Sequence, residues 1–279
     1  MDAAAGQMAL LASNLQTVRL FDYILTVELE VSLMWSSNWS LPKLLFFLSR
    51  YSPLFDVPML LYYSMVSGLS FEKCSQLHAG ASWGTVFGIA IAEAILILRT
   101  YALSGGRRGV LICFTAIWIV AILSSIVFLV LFLQSVTYGP PPLPNIPGCS
   151  LVAGNVVFAS IPFIIVLLND TVIMAYTLWI GLANYRYSRN PLIVALYRDG
   201  ITYYLFLCIV SAVNVAALLQ APKSLAQLFN TFLRVLHSVL STRILLHVRE
   251  IEKIESERAL ALQQPVILSF AVPDSEVLE

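Results

Sequence analysis

Residues 109–134, GVLICFTAIWIVAILSSIVFLVLFLQ, contain no charged side chain and no proline, and they are bounded by Arg107 and Arg108 on one side. A helix of that length rises far enough, at about 1.5 Å per residue, to cross the roughly 30 Å of a bilayer's hydrocarbon. Four further stretches are also long and mainly apolar: 42–66, 79–103, 155–183 and 200–220. The whole chain of 279 residues is 59% hydrophobic and 11% charged, with a mean hydropathy of +0.83. A water-soluble domain carries about 25% charged residues. That much apolar surface has no core large enough to hide it, so lipid is the solvent the sequence asks for.

Two further segments are weaker. Residues 225–247 are rich in Leu, Val and Phe but carry Arg234 and His237, and residues 17–35 hold Asp22, Glu28 and Glu30. Trp35 and Trp39 suit a membrane interface beside the latter. Counting both predicts an all-α integral membrane protein, a seven-transmembrane helix bundle over 17–247, with six spans as the alternative. Residues 1–16 are then a short outer segment, 248–262 a juxtamembrane helix whose Val248, Ile251 and Ile254 recur at helical spacing, and 263–279 a disordered tail. No basic region precedes the first apolar run, so the first span is expected to act as its own insertion signal.

With seven spans the loops alternate sides. One side collects Lys43, Arg99, Arg107, Arg108, Arg186, Arg189, Arg198, Arg243, Arg249, Lys253 and Arg258; the other has Arg19, Lys73 and Lys223. The bias places the C-terminus in the cytosol and the N-terminus outside, in the plasma membrane or an endomembrane. Net charge is zero, which offers nothing to nucleic acid. The same topology puts Cys74 and Cys149 on the outer side, where a disulfide between them is the expectation and two free thiols the alternative.

Charges inside spans are costly in lipid and turn inward toward partners. Depth along each helix groups them. Arg50 lies ~13 Å from the cytosolic start of its helix and Glu93 ~16 Å from its cytosolic end, level with Glu28 or Glu30, so a buried cluster of Glu28 or Glu30, Arg50 and Glu93 is predicted. Asp170, Asn214 and Arg234 each fall ~20 Å from the cytosolic edge and form a second, midplane layer in which Asp170 would pair with Arg234 through Asn214. Either layer can be a structural lock; the second can also anchor a ligand. Arg99 and Tyr101, with Arg198 and Asp199 opposite, are candidates for a cytosolic switch.

Catalytic patterns are missing. His78, His237 and His247 share no ligand spacing, no metal motif or nucleophile elbow occurs, and none of Lys43, Lys73, Lys223 and Lys253 is embedded in the membrane to carry a retinal Schiff base. No enzyme, metal or cofactor is expected. The partners expected are the bilayer and, for a sensor, a small-molecule ligand and a cytosolic protein.

Three segments, FDYILTVELEVSLMW…LPKLLFFLSRYSPLFD at 21–56, GIAIAEAILILRTYAL at 88–103 and LYRDGITYYLF at 196–206, resemble a large fungal family of seven-helix membrane proteins abundant in mushroom-forming fungi. That family bears an N-terminal domain of unknown function, which corresponds here to about 18–60. Its recognisable positions are Asp22-Tyr23, Thr26, Glu30, Trp35, Leu45-Phe46 and Arg50-Tyr51. The resemblance implies a multi-pass membrane protein of uncharacterised activity and favours Glu30 over Glu28 as the partner of Arg50. The function expected is a receptor-like seven-helix sensor. Alternatives are a transporter or channel with a buried polar pathway, or a structural, partner-organising protein. Arg99 in Leu98-Arg99-Thr100-Tyr101 looks loosely like the Asp/Glu-Arg-Tyr switch of rhodopsin-like receptors, although the preceding acid is absent.

Overall fold

Long apolar segments punctuated by glycine, proline and arginine turns give long helices. The computed structural model describes residues 21–66, 68–139, 149–185, 191–221 and 223–268. Helix α1 (21–35) ends in a π turn, Val31–Trp35. Helices α2 (Leu41–Tyr51) and α3 (Pro53–Met65) are interrupted only at Ser52, because Pro53 brings no N–H to continue the ladder. Then follow α4 (Phe71–Leu103), α5 (Arg108–Ser135), a two-stranded antiparallel sheet of β1 (Thr137–Gly139) and β2 (Ser150–Ala153), α6 (Val156–Ile180), α7 (Pro191–Gln220) and α8 (Lys223–Leu268).

Five helical stretches are long and apolar enough to cross a membrane: Leu41–Tyr63, Phe71–Leu103, Arg108–Ser135, Val156–Ala183 and Gly200–Gln220. Together they fit a multi-pass integral membrane protein. Helix α5 makes the case most directly. Only Phe114, Ser125 and Leu129 are buried along it, while Ile112, Val120, Leu123 and Val127 are exposed. A water-soluble fold does not leave such a face uncovered.

Helices α4, α6, α7 and α8 form the interior. Leu96, Ile97, Phe114, Ile173, Tyr204, Leu207, Leu240 and Ile244 make the main apolar cluster, and Met34, Phe46 and Leu246 join α1, α2 and α8 in a second. Helix α8 runs unbroken through the predicted boundary at 247/248. Its sequence has no glycine or proline from Lys223 to Gln264, and the charged residues after His247 are good helix formers. The helix reaches Leu268, into the segment expected to be a disordered tail; 269–279 and the predicted outer segment 1–16 lie outside the described residues.

The proline-rich connection between α5 and α6 carries the strands at its margins, with Tyr138 opposite Leu151 and Gly139 opposite Ser150. Three ties hold it to the bundle. Cys149 is disulfide-bonded to Cys74 on α4, its N–H donates to the Tyr63 carbonyl of α3 at 3.0 Å, and the Tyr138 hydroxyl lies 2.9 Å from His78 Nδ1. Burial pushes the Tyr138 phenol up to about 12, so it remains an O–H group at neutral pH. This sheet marks one end of the bundle, the hairpin end.

A polar clasp and a cavity as candidate functional sites

The first constellation gathers around Arg50, buried on α2. Its Nε is 2.5 Å from Glu30 Oε2, and a terminal nitrogen donates to Thr26 Oγ1 at 2.8 Å and to the Tyr23 carbonyl at 3.3 Å. The guanidinium also sits 4.7 Å from the centre of the Tyr23 ring. Glu30 accepts further bonds from the Tyr51 hydroxyl at 2.8 Å and from Trp35 Nε1 at 3.1 Å. One turn pattern explains the set: Tyr23, Thr26 and Glu30 recur every three or four residues and share a face of α1. Below Thr26 in sequence, Asp22 takes Arg243 of α8 at 2.6 Å. The clasp thus fastens α1 to both α2 and α8. Glu28 is exposed and takes no part, since two residues along a helix turn a side chain away from the Glu30 face.

The second constellation is a cavity of about 220 Å³ between α3, α4, α5, α6 and α8 at the hairpin end. Leu151 of β2, Gly154 and His78 line it nearest the hairpin; Ile89, Ile122, Phe163 and Val166 give apolar walls; Asp56, Glu93 and Arg234 line it farther along the helices from the hairpin. Arg234 is 1% exposed. It donates from Nε to Asp56 Oδ2 at 2.8 Å and from Nη2 to Ser52 Oγ at 2.7 Å. Gly84 and Gly88 of α4 make this geometry fit: a Cβ at Gly84 would overlap Asp56, and one at Gly88 would overlap the Arg234 guanidinium. With Gly80 they form a stripe spaced by four residues, the small-residue pattern that brings helices close in lipid.

The predicted partners are therefore regrouped. Arg234 pairs with Asp56, not Asp170. Depth fixes the level of a side chain and not the direction it faces, and the bare surface of Gly88 leads Arg234 across α4 toward α3. Asp170 accepts instead from Ser211 Oγ at 3.1 Å and faces His237 Nε2 at 3.6 Å. Glu93 does not join Arg50; it lies beside Asn169 and Asp170 on α6. Asn214 is fully buried, and its amide makes no hydrogen bond among the described residues. Sequence reasoning passed over Asp56 as a partner and Gly84 and Gly88 as spacers, although the glycine spacing was there to be read.

At the opposite end, Arg99 is buried with its guanidinium 5.7 Å from the centre of the Tyr204 ring and against the backbone of Gly200. Tyr101 is half-buried, with its hydroxyl near Gly106. Arg198 and Asp199 belong to α7, but their side chains lie outside the described residues. Among the described residues, no group of three or more His, Cys, Asp or Glu could hold a metal ion.

A bundle of apolar helices with an unclad α5 and charges turned inward defines a multi-pass membrane protein. Over residues 11–55 the chain is similar to a family of unknown function (DUF6533). No curated protein matches the chain. The similar segment contains Asp22, Tyr23, Thr26, Glu30, Trp35, Arg50 and Tyr51 of the clasp, while Arg243 lies outside it.

Proposed function

We propose that the chain is a receptor-like sensor with seven membrane-crossing helices, its N-terminus outside, its C-terminal tail in the cytosol, and its hairpin-end cavity the seat of a small ligand. The observation that carries this reading is the cavity itself: apolar walls leading down to buried Asp56, Glu93 and Arg234. Such a combination of greasy walls and a few convergent polar groups is what small-molecule sites are made of. The excess of Arg and Lys in the loops of the opposite end supports the orientation. The fungal seven-helix resemblance supports α1 and α8 as the additional crossings. Arg99, buried against Gly200 near that end, is the candidate switch through which a cytosolic partner would sense the bundle.

A transporter is the second reading. It is favoured by the buried polar groups that continue past the cavity floor, from Glu93 to Asp170 and His237. Reconstitution separates the two. Wild-type protein in lipid vesicles is screened for compounds that raise its thermal midpoint, alongside Ala121→Trp, which fills the cavity. A sensor gives midpoint shifts that the filled variant loses, without accumulation of the compound inside the vesicles. Accumulation favours the transporter, and equal shifts in both proteins refute the cavity as a binding site.

A further inference from the structure

Resting on that reading of the cavity, we infer that its ligand is an organic monocation, a protonated amine on a compact apolar body. Four ionisable side chains line the space: Asp56, His78, Glu93 and Arg234. Two of them cancel, since Arg234 and Asp56 are paired at 2.8 Å. His78 is occupied near the hairpin, bonded to Tyr138 and stacked on Tyr63 with ring centres 5.4 Å apart.

Glu93 remains. It is 3% exposed, its Oε1 makes no hydrogen bond among the described residues, and its neighbours on α6 are the Asn169 amide and a second acid, Asp170. An acid with another acid at its back, in apolar surroundings, is the strongest attraction the cavity has to offer, and the attraction is for positive charge. Arg234 Nη1 also lacks a hydrogen-bond partner among the described residues, but its charge is already matched by Asp56, so the floor as a whole carries one acid in excess.

The rest of the lining sets the body of the ligand. Val86, Ile89, Ala121, Ile122, Phe163 and Val166 present hydrocarbon. On the α8 side, Gln227 Nε2 and Asn230 Oδ1 are buried without hydrogen-bond partners among the described residues and leave room for one further polar group. A volume of about 220 Å³ is below the roughly 300–1,000 Å³ of drug-sized pockets, which limits the body to a single ring or a short branched chain.

Three probes of one shape and different charge test this: 2-phenylethylammonium, 3-phenylpropanoate and 2-phenylethanol, titrated at neutral pH against wild-type protein in nanodiscs of uncharged phosphatidylcholine. The ammonium should bind at least about tenfold tighter than either of the others, the worth of a charge-assisted contact. Glu93→Gln should remove that preference and Glu93→Asp retain part of it. The wild-type comparison stands alone if the Gln variant fails to fold. Equal or tighter binding of the carboxylate or the alcohol, lost in Ala121→Trp, overturns the inference and leaves the cavity as a binding site. No binding by any probe, or binding indifferent to Ala121→Trp, overturns both.

Discussion

Gly88 of α4 and the guanidinium of Arg234 on α8 occupy one another's space: the missing side chain of the one is the seat of the other. Everything at the cavity floor depends on that seat, because from it Arg234 reaches both Asp56 and Ser52. A methyl group at position 88 pushes the guanidinium away and leaves Asp56 buried without its cation. Gly88→Ala is expected to cost about 3–5 kcal/mol, the range for breaking a buried ion pair. Gly80→Ala, where the new Cβ meets only the flexible end of Met59, its Cε nearest at 3.0 Å, should cost much less. Thermal midpoints of the two variants in detergent compare them; equal losses would show that the stripe acts only through helix spacing.

The clasp yields a second prediction. Arg50 and Glu30 are both buried, so removing one strands the other. Glu30→Gln or Arg50→Met alone should lower stability by about 3–5 kcal/mol, whereas the double variant should recover a part of that loss, because no unpaired charge remains. Arg50→Lys should not rescue, since one ammonium cannot reproduce the fork that serves Glu30, Thr26 and Tyr23 together. A double-mutant cycle on unfolding midpoints reads the coupling, and simple additivity would mean that the pair contributes nothing jointly.

Thiol counting checks the hairpin. Cys74 and Cys149 are bonded, Cys113 is exposed and Cys208 is buried. A maleimide should therefore modify at most Cys113, which faces lipid on α5, in the folded protein, Cys113 and Cys208 after denaturation, and all of Cys74, Cys113, Cys149 and Cys208 after reduction as well. Mass spectrometry gives the count directly. The bridge closes a separation of 75 residues, so Cys149→Ser should destabilise by roughly 2–4 kcal/mol.

How far the sequence could be read follows from what a helix conceals. Apolar length identifies the spans in α2–α3 through α7, and the rise per residue gives the depth of each embedded charge. Neither gives azimuth. Asp56 and Asp170 were both available to Arg234, and only the bare surface of Gly84 and Gly88 decides for Asp56. The same limit separates Glu93 from Arg50. Glu30 was distinguished from Glu28 by resemblance alone, and the reason is now physical: Tyr23, Thr26 and Glu30 share a face that Glu28 does not. The end of the apolar part of α8 could not be read as a helix end at all, because charge changes at His247 while helix propensity does not.

Arg99 and Gly200 repeat the Gly88–Arg234 arrangement at the other end of the bundle. The Arg99 guanidinium lies against Gly200 and near the Tyr204 ring, while Tyr204 donates its hydroxyl to the Leu96 carbonyl at 3.2 Å, within one turn of Arg99 on α4. Gly200→Ala adds a methyl group where the guanidinium sits, and overpacking of this kind costs about 1–3 kcal/mol. Arg99→Ala removes the other side of the clash but gives up the packing over Tyr204. If the two residues meet as described, the double variant should be no less stable than Arg99→Ala alone, since alanine at 200 then meets no guanidinium. Thermal midpoints of the wild type, the single variants and the double variant close the cycle. A double variant that loses the full sum of the single effects would show that Gly200 is needed for the helix itself and not for the seat of Arg99.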